Sequence, residues 1–170
     1  MDSIITFFSD VPLSFRTFIL LGGIIIFWIL EGIIPLYSFS YKKLNHALLN
    51  IFFTTTTAII GFGFAFILLK STIIVQSNKI GFIHFFDFPL WVNVIISILI
   101  LDLIGAYLIH YIQHKIPWMW KFHLVHHSDM NVDVTTGLRH HPGETVFRIL
   151  FTIIGIYVSG ASIGIVMLYQ

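Results

Sequence analysis

The sequence predicts an all-α, polytopic membrane protein: three to four transmembrane helices, a fifth begun and cut off, and a histidine-rich segment at one membrane surface. Three observations predict it. Of the 170 residues, 57% are hydrophobic and 10% charged, whereas soluble domains run at about 45–50% apolar and about 25% charged. The apolar residues gather in stretches near the roughly 20 residues a helix needs to cross the hydrocarbon core. The one long polar stretch, Lys115 to Glu144, falls directly after the third of them.

The first span covers about residues 13–36, Leu13 to Leu36, with Trp28 inside it and Glu31 near its end. Asp2 and Asp10 precede it and no basic residue comes before Arg16. A cleaved signal peptide carries a positive flank there, so this span reads as a retained anchor. The second span covers about residues 47–69 and includes Thr54–Thr57, which reads as helix packing. Ser71 to Phe88 is mixed, with Lys79, Gly81, His84 and Asp87, and reads as interfacial.

The third span covers about residues 90–112. The fourth, about residues 146–168, is interrupted by Ser159-Gly160-Ala161-Ser162. That leaves open one loose span, or a helix, a turn and the start of a fifth helix. Gly160-x3-Gly164 fits a turn or a packing contact better than a dimer motif. The whole chain is one membrane domain, with residues 110–144 as a metal-binding segment. Lys42, Lys43, Lys115, Lys121, Arg139 and Arg148 fall on one side of the three-span arrangement, and Arg16, Lys70 and Lys79 on the other. The positive-inside rule then places the histidine segment in the cytoplasm.

Within residues 110–144, Pro117 ends the third helix because proline lacks the donor and clashes with the preceding turn. Trp118, Trp120 and Phe122 suit a short helix at headgroup depth. His141-Pro142-Gly143-Glu144 reads as a helix start: proline is tolerated in the first turn, and a carboxylate there meets the positive end of the dipole. No cysteine is present, which excludes disulfides, thiolate ligands and a cysteine nucleophile. A net charge of +1 with no basic run gives no sign of nucleic-acid binding.

Seven of the nine histidines lie between His110 and His141. Helix residues three or four apart are neighbours, about 5–6 Å apart at Cβ. His110 and His114 therefore share a face where the third helix leaves the bilayer, and His123, His126 and His127 form a second set. Folding the second set beneath the first converges five nitrogen donors, which invites a two-metal site between facing helices. Imidazole suits iron, zinc, copper and nickel alike. Asp102 and Tyr107 precede His110 on the same helix, where a carboxylate could orient a ligand ring. His46 and His84 read as ordinary interfacial residues. His140 and His141 leave ligand, cap and phosphate contact open. Arg139 reads as a contact to a polar substrate group or as a partner of Asp133 or Glu144. A relay of proton-carrying histidines in a transporter is the competing reading.

Three ordered blocks carry a resemblance: Asp102-x4-Tyr107-x2-His110-x3-His114, then Pro117-x2-Trp120-x2-His123-x2-His126-His127-Ser128-Asp129, then Asp133-Val134-Thr135-Thr136-x2-Arg139-x-His141-Pro142-x-Glu144. In this order they resemble the fatty acid hydroxylase/sterol desaturase superfamily of integral membrane oxidoreductases. The resemblance implies a histidine-ligated centre of two iron ions, with zinc as an alternative metal on purification. It implies O2 as co-substrate, a lipid (fatty acid, sterol or related) as the molecule hydroxylated or desaturated, and an external electron-donor protein or reductase. It also implies His110, His114, His123, His126 and His127 as ligands, with His141 as a further candidate. Asp102, Tyr107, Asn131, Arg139 and Glu144 take supporting positions.

Two departures stand beside the resemblance. Position 111 is tyrosine where many members carry arginine. The family's third histidine box, HxxHH after a returning hairpin, is not among the residues up to Gln170. The expectation is thus an N-terminal portion that relies on a complementing C-terminal segment. The alternative is a catalytically inert fragment or a metal-binding membrane protein.

Overall fold

The computed structural model describes residues 7, 11–35 and 41–170. Asp2, Asp10 and Leu36 lie outside the described residues. Among the described residues the fold is all helix with no strand, and four helical stretches are long and apolar enough to cross a membrane: Ser14–Ile33, Lys43–His84, Leu90–Lys115 and Pro142–Ser159.

Helix α1 (Leu13–Ile33) presents Phe18, Leu20, Ile26 and Phe27 outward, as a lipid-facing helix does. Helix α2 (Lys43–Ser77) continues past the apolar pattern to Ser77, because Ser71 and Thr72 turn inward and bond their own helix carbonyls. A 3₁₀ turn, Phe82–His84, leads to α3 (Leu90–Lys115). This long rod is α-helical to Asp102, π-helical over Leu103–Leu108 and α-helical again over Ile109–Lys115. A π-helical stretch inside an α-helix is rare and often marks a functional site.

Ile116 alone separates α3 from α4 (Pro117–His127), with φ −97° and ψ 114°. The ring of Pro117 forces this, since it disfavours helical backbone in the residue before it. The chain therefore turns sharply, and α4 folds back against the end of α3. A 3₁₀ helix, Val134–Leu138, follows, started by a capping box in which Asp133 accepts from the Thr135 N–H.

Helix α5 (Pro142–Ser159) is central and packs on α2, α3 and α4. It ends at Gly160, whose φ of +87° is left-handed, and Ser162 starts α6 (Ile163–Tyr169). The apolar core lies at this end: Val75, Val94, Leu101, Ile156, Ala161 and Val166 are buried together. Gly105 and Gly155 let α3 and α5 approach closely, facing Thr152 and Leu101 respectively.

Candidate metal centre

The fold-back at Ile116 brings the two histidine pairs face to face. Nε2 of His110 lies 2.9 Å from Nε2 of His114, and Nε2 of His127 lies 3.0 Å from Nε2 of His123. Across the helices, the His110 and His123 rings are 4.6 Å apart and the His114 and His127 rings 4.9 Å. One ligand atom from each of these four histidines falls within 4.8 Å of all the others. His123 is buried, while His114 and His127 are exposed. Trp120 closes one side, 5.0 Å from His114 and 5.4 Å from His127.

The back of the cluster rests on Glu144. His123 Nδ1 lies 3.1 Å from Glu144 Oε1, with both side chains buried. An imidazole that donates through Nδ1 keeps its proton there and turns the Nε2 lone pair inward, which is the state a metal needs. Burial drives the pKa of His123 down to about 4, against the pull of the Glu144 carboxylate. The donor set thus fits a transition metal: four converging nitrogens, one with its tautomer set from behind.

His126 leaves this group. Neighbouring residues lie about 100° apart around an α-helix, so His127 can join His123 only if His126 turns aside. His126 stacks on His140 instead, with ring centroids 4.7 Å apart and planes 11° apart. Its Nδ1 is buried with no hydrogen-bond partner, and burial followed by the neighbouring His140 lowers its pKa. His140 Nδ1 stands 3.2 Å from Glu144 Oε1, off the hydrogen-bond direction. His141 stays outside the cluster: its Nδ1 accepts from the Gly143 N–H at 2.9 Å and caps α5, with Phe122 against its ring.

Arg139 pairs with neither Asp133 nor Glu144. Its Nε donates to the Val125 carbonyl at 3.1 Å, its Nη2 to Ser128, and Nη1 lies 3.9 Å from Asp129. It thereby closes the C-terminus of α4. Asn131 donates its backbone N–H to Asp129. Asp102 is exposed and accepts from the Tyr169 hydroxyl at 3.5 Å, while Tyr107 is 64% exposed. Asp102 and Tyr107 line a cavity of about 440 Å³ with His110 and His114.

A second polar cluster, centred on His46, was not legible as a unit. His46 Nε2 lies 2.8 Å from Asp129 and its Nδ1 2.9 Å from Asp133, an arrangement an imidazolium satisfies with both donors. Tyr41 donates to Asp133 at 3.0 Å, and Asn50 to Thr135 at 2.8 Å. Thr54 reaches the Leu138 carbonyl at 3.2 Å, so part of the threonine run ties α2 to the loop. Burial pushes Asp129 and Asp133 upward, but hydrogen bonds from Thr136, Thr135, His46 and Tyr41 outweigh it and hold both carboxyls low. This network fastens the loop after His127 to α2. His46 and Asp133 lie 87 residues apart, and no local pattern pairs them.

Residues 94–170 match the family model for fatty acid hydroxylases. That stretch belongs to the fatty acid hydroxylase family. An ornithine lipid hydroxylase, OlsE, from Rhizobium tropici is 30% identical over 84 residues, covering 48% of this chain and 25% of the relative. The chain thus spans about a quarter of the length of this curated relative. No solved structure matches the chain. The fatty acid hydroxylase segment holds the four-histidine cluster, Glu144 and the His126–His140 pair. His46, Asn50 and Thr54, which fasten its loop, come from the part of the chain before it.

Proposed function

We propose that this chain forms the histidine-bearing membrane part of a lipid hydroxylase that uses a histidine-ligated iron centre and O2, with electrons from a separate donor protein or reductase. The observation that carries the reading is the convergence of His110, His114, His123 and His127 within 4.8 Å at the C-terminal end of α3. The fatty acid hydroxylase match over residues 94–170 supports a hydroxylase-type enzyme. When bound, the iron would supply, with O2, the oxidising power to attack an unactivated C–H bond.

The protein's own residues hold and shield that centre. The four histidines are its ligands, and the same donors would accept zinc. Glu144 keeps the proton on His123 Nδ1 and balances charge behind the ring. Trp120 excludes water on one side. His126 and His140 are two donors toward a second metal, which donors from a complementing segment would complete. Lys42, Lys43, Lys115, Lys121 and Arg139, the basic residues that flank the spans on the histidine side, support a cytoplasmic centre. The relative's name makes ornithine-headed lipids a substrate class to try first.

The test is product formation measured together with metal content. The full-length protein, supplied with lipid extract, O2 and a reductase, is expected to yield oxygenated lipid by mass spectrometry. His123→Ala should lose both metal and product. Retention of both by that variant would end the reading.

A further inference from the structure

Two oppositely charged side chains inside membrane spans face the same cavity without pairing. Asp102 lies in the span Leu90–Lys115 and Arg148 in Pro142–Ser159, and both line the cavity of about 440 Å³ that holds His110 and His114. The ion-pair contact of Arg148 is a long one, 3.6 Å to Glu144, whose carboxylate already serves His123 and His140. Asp102 has the Tyr169 hydroxyl at 3.5 Å. Ionisable groups within membrane spans are costly and generally serve a ligand or a relay.

The cavity does not end at Arg148. The same side chain lines a second cavity of about 370 Å³ with Thr54, His140 and Tyr169. Thr145, Ile149 and Gln170 are walls of that cavity and of a third, apolar one of about 500 Å³ beside Gly61, Ala65 and Leu68. An added Cβ at Gly61 would meet nothing within 4 Å, so α2 leaves room at this point of the cleft.

We propose that these three cavities form one site for a zwitterionic lipid, with its anionic group on Arg148, its ammonium against Asp102 and its acyl chain along the cleft at Gly61. The proposal rests on the lipid-hydroxylase reading and names its substrate class. Arg148 suits the anion because its planar fork can take a carboxylate or phosphate through two parallel bonds. Asp102 would repel a purely anionic headgroup, and the apolar cleft gives the tail a dry path. This orientation sets the headgroup, rather than the tail, against His110 and His114.

The test is lipid binding by native mass spectrometry on full-length, metal-loaded protein in detergent, with metal content measured on every sample. The probes are phosphatidylethanolamine (ammonium and phosphate), Nα-palmitoyl-lysine (ammonium and carboxylate), phosphatidylglycerol (anion alone) and diacylglycerol (neutral). At least one zwitterion should bind about 10-fold tighter than diacylglycerol, the size of one charged contact. Which one does so identifies the anion. Arg148→Gln should weaken that zwitterion and phosphatidylglycerol by about 10-fold each, and Arg148→Lys should recover part of it. Asp102→Asn should weaken the zwitterion about 10-fold and leave phosphatidylglycerol equal or tighter. Gly61→Leu, which fills the cleft, should weaken every probe.

Equal binding of neutral and zwitterionic lipids by the unaltered protein overturns the proposal. So does an Asp102→Asn variant that weakens all probes alike, or a Gly61→Leu variant that binds them unchanged. Charge-selective binding without turnover would sink the hydroxylase reading alone. Turnover without charge selectivity would sink this proposal alone.

Discussion

His123 Nδ1 and Glu144 Oε1 lie 3.1 Å apart in a site that buries both side chains, and this contact joins the start of α5 to the histidine face of α4. Carboxylates that stand behind a ligating imidazole typically govern metal affinity by 10–100-fold. Glu144→Gln keeps the shape and removes the charge. It is expected to weaken metal binding by about 10–100-fold in a competition titration with a chelator, with helix content unchanged by circular dichroism. An unchanged affinity would reduce Glu144 to a packing role.

The histidines divide into four and two, and the division is measurable. His110→Ala, His114→Ala, His123→Ala and His127→Ala should each empty the four-histidine centre. His126→Ala should leave that metal in place, because its ring stacks on His140 rather than facing the cluster. Metal per chain, by elemental analysis of the purified variants, separates one ion from two when single and double variants are compared. A His126→Ala/His127→Ala double variant that loses no more metal than His127→Ala alone would show that His126 joins the same ion.

Gly81 and Gly160 meet backbone to backbone. Gly81 has φ +105°, and a Cβ there would lie 2.2 Å from the Gly160 nitrogen. No rotamer change can relieve such a clash, since the obstacle is main chain. Gly81→Ala should destabilise the fold by about 3 kcal/mol or more, in the range reserved for strained backbone and overpacked sites. A thermal transition in detergent reads it. Gly63, where an added methyl group would meet nothing within 4 Å, provides the control substitution and should shift the transition little.

The carboxylates around His46 give the fold a definite acid response. Asp129 and Asp133 both titrate below the ordinary value of 3.8, because hydrogen bonds to their ionised forms outweigh burial. A folded-state value below the unfolded one means that the ionised groups stabilise the fold fully above about pH 4, and that this contribution disappears as pH falls through the folded value. Thermal stability followed from pH 7 to pH 3 should therefore fall at the acid end. Asp133→Asn should lower stability at pH 7 and flatten that fall. An equally steep acid loss in the variant would assign the effect to other groups.

Much of the candidate site is legible along the chain, for a local reason. The i, i+4 spacings of His110–His114 and His123–His127 are intrahelical, and Ile116-Pro117 carries its own instruction to break the helix. Helix period and proline sterics together bring two pairs of donors to one end of the bundle. The same period separates His126 from His127, although five histidines counted along the chain suggest a single set. The spans themselves were legible because lipid-facing helices need only be apolar. Their limits were less so: α2 continues through Ser71 and Thr72, polar residues that satisfy themselves on their own helix carbonyls.

The sequence by itself determined the helical membrane class, the two i, i+4 histidine pairs and the break that turns α4 back, because each depends on residues within a few positions of one another. Only the tertiary structure decided that Glu144 stands behind His123, that His126 pairs with His140, and that Arg148 rather than Arg139 faces the cavity. It also decided that His46 locks Asp129 and Asp133, 83 and 87 residues away. Those relationships depend on how α5 and α2 pack against the α3–α4 fold-back. Burial and charge act there between residues that have no neighbourhood in the chain.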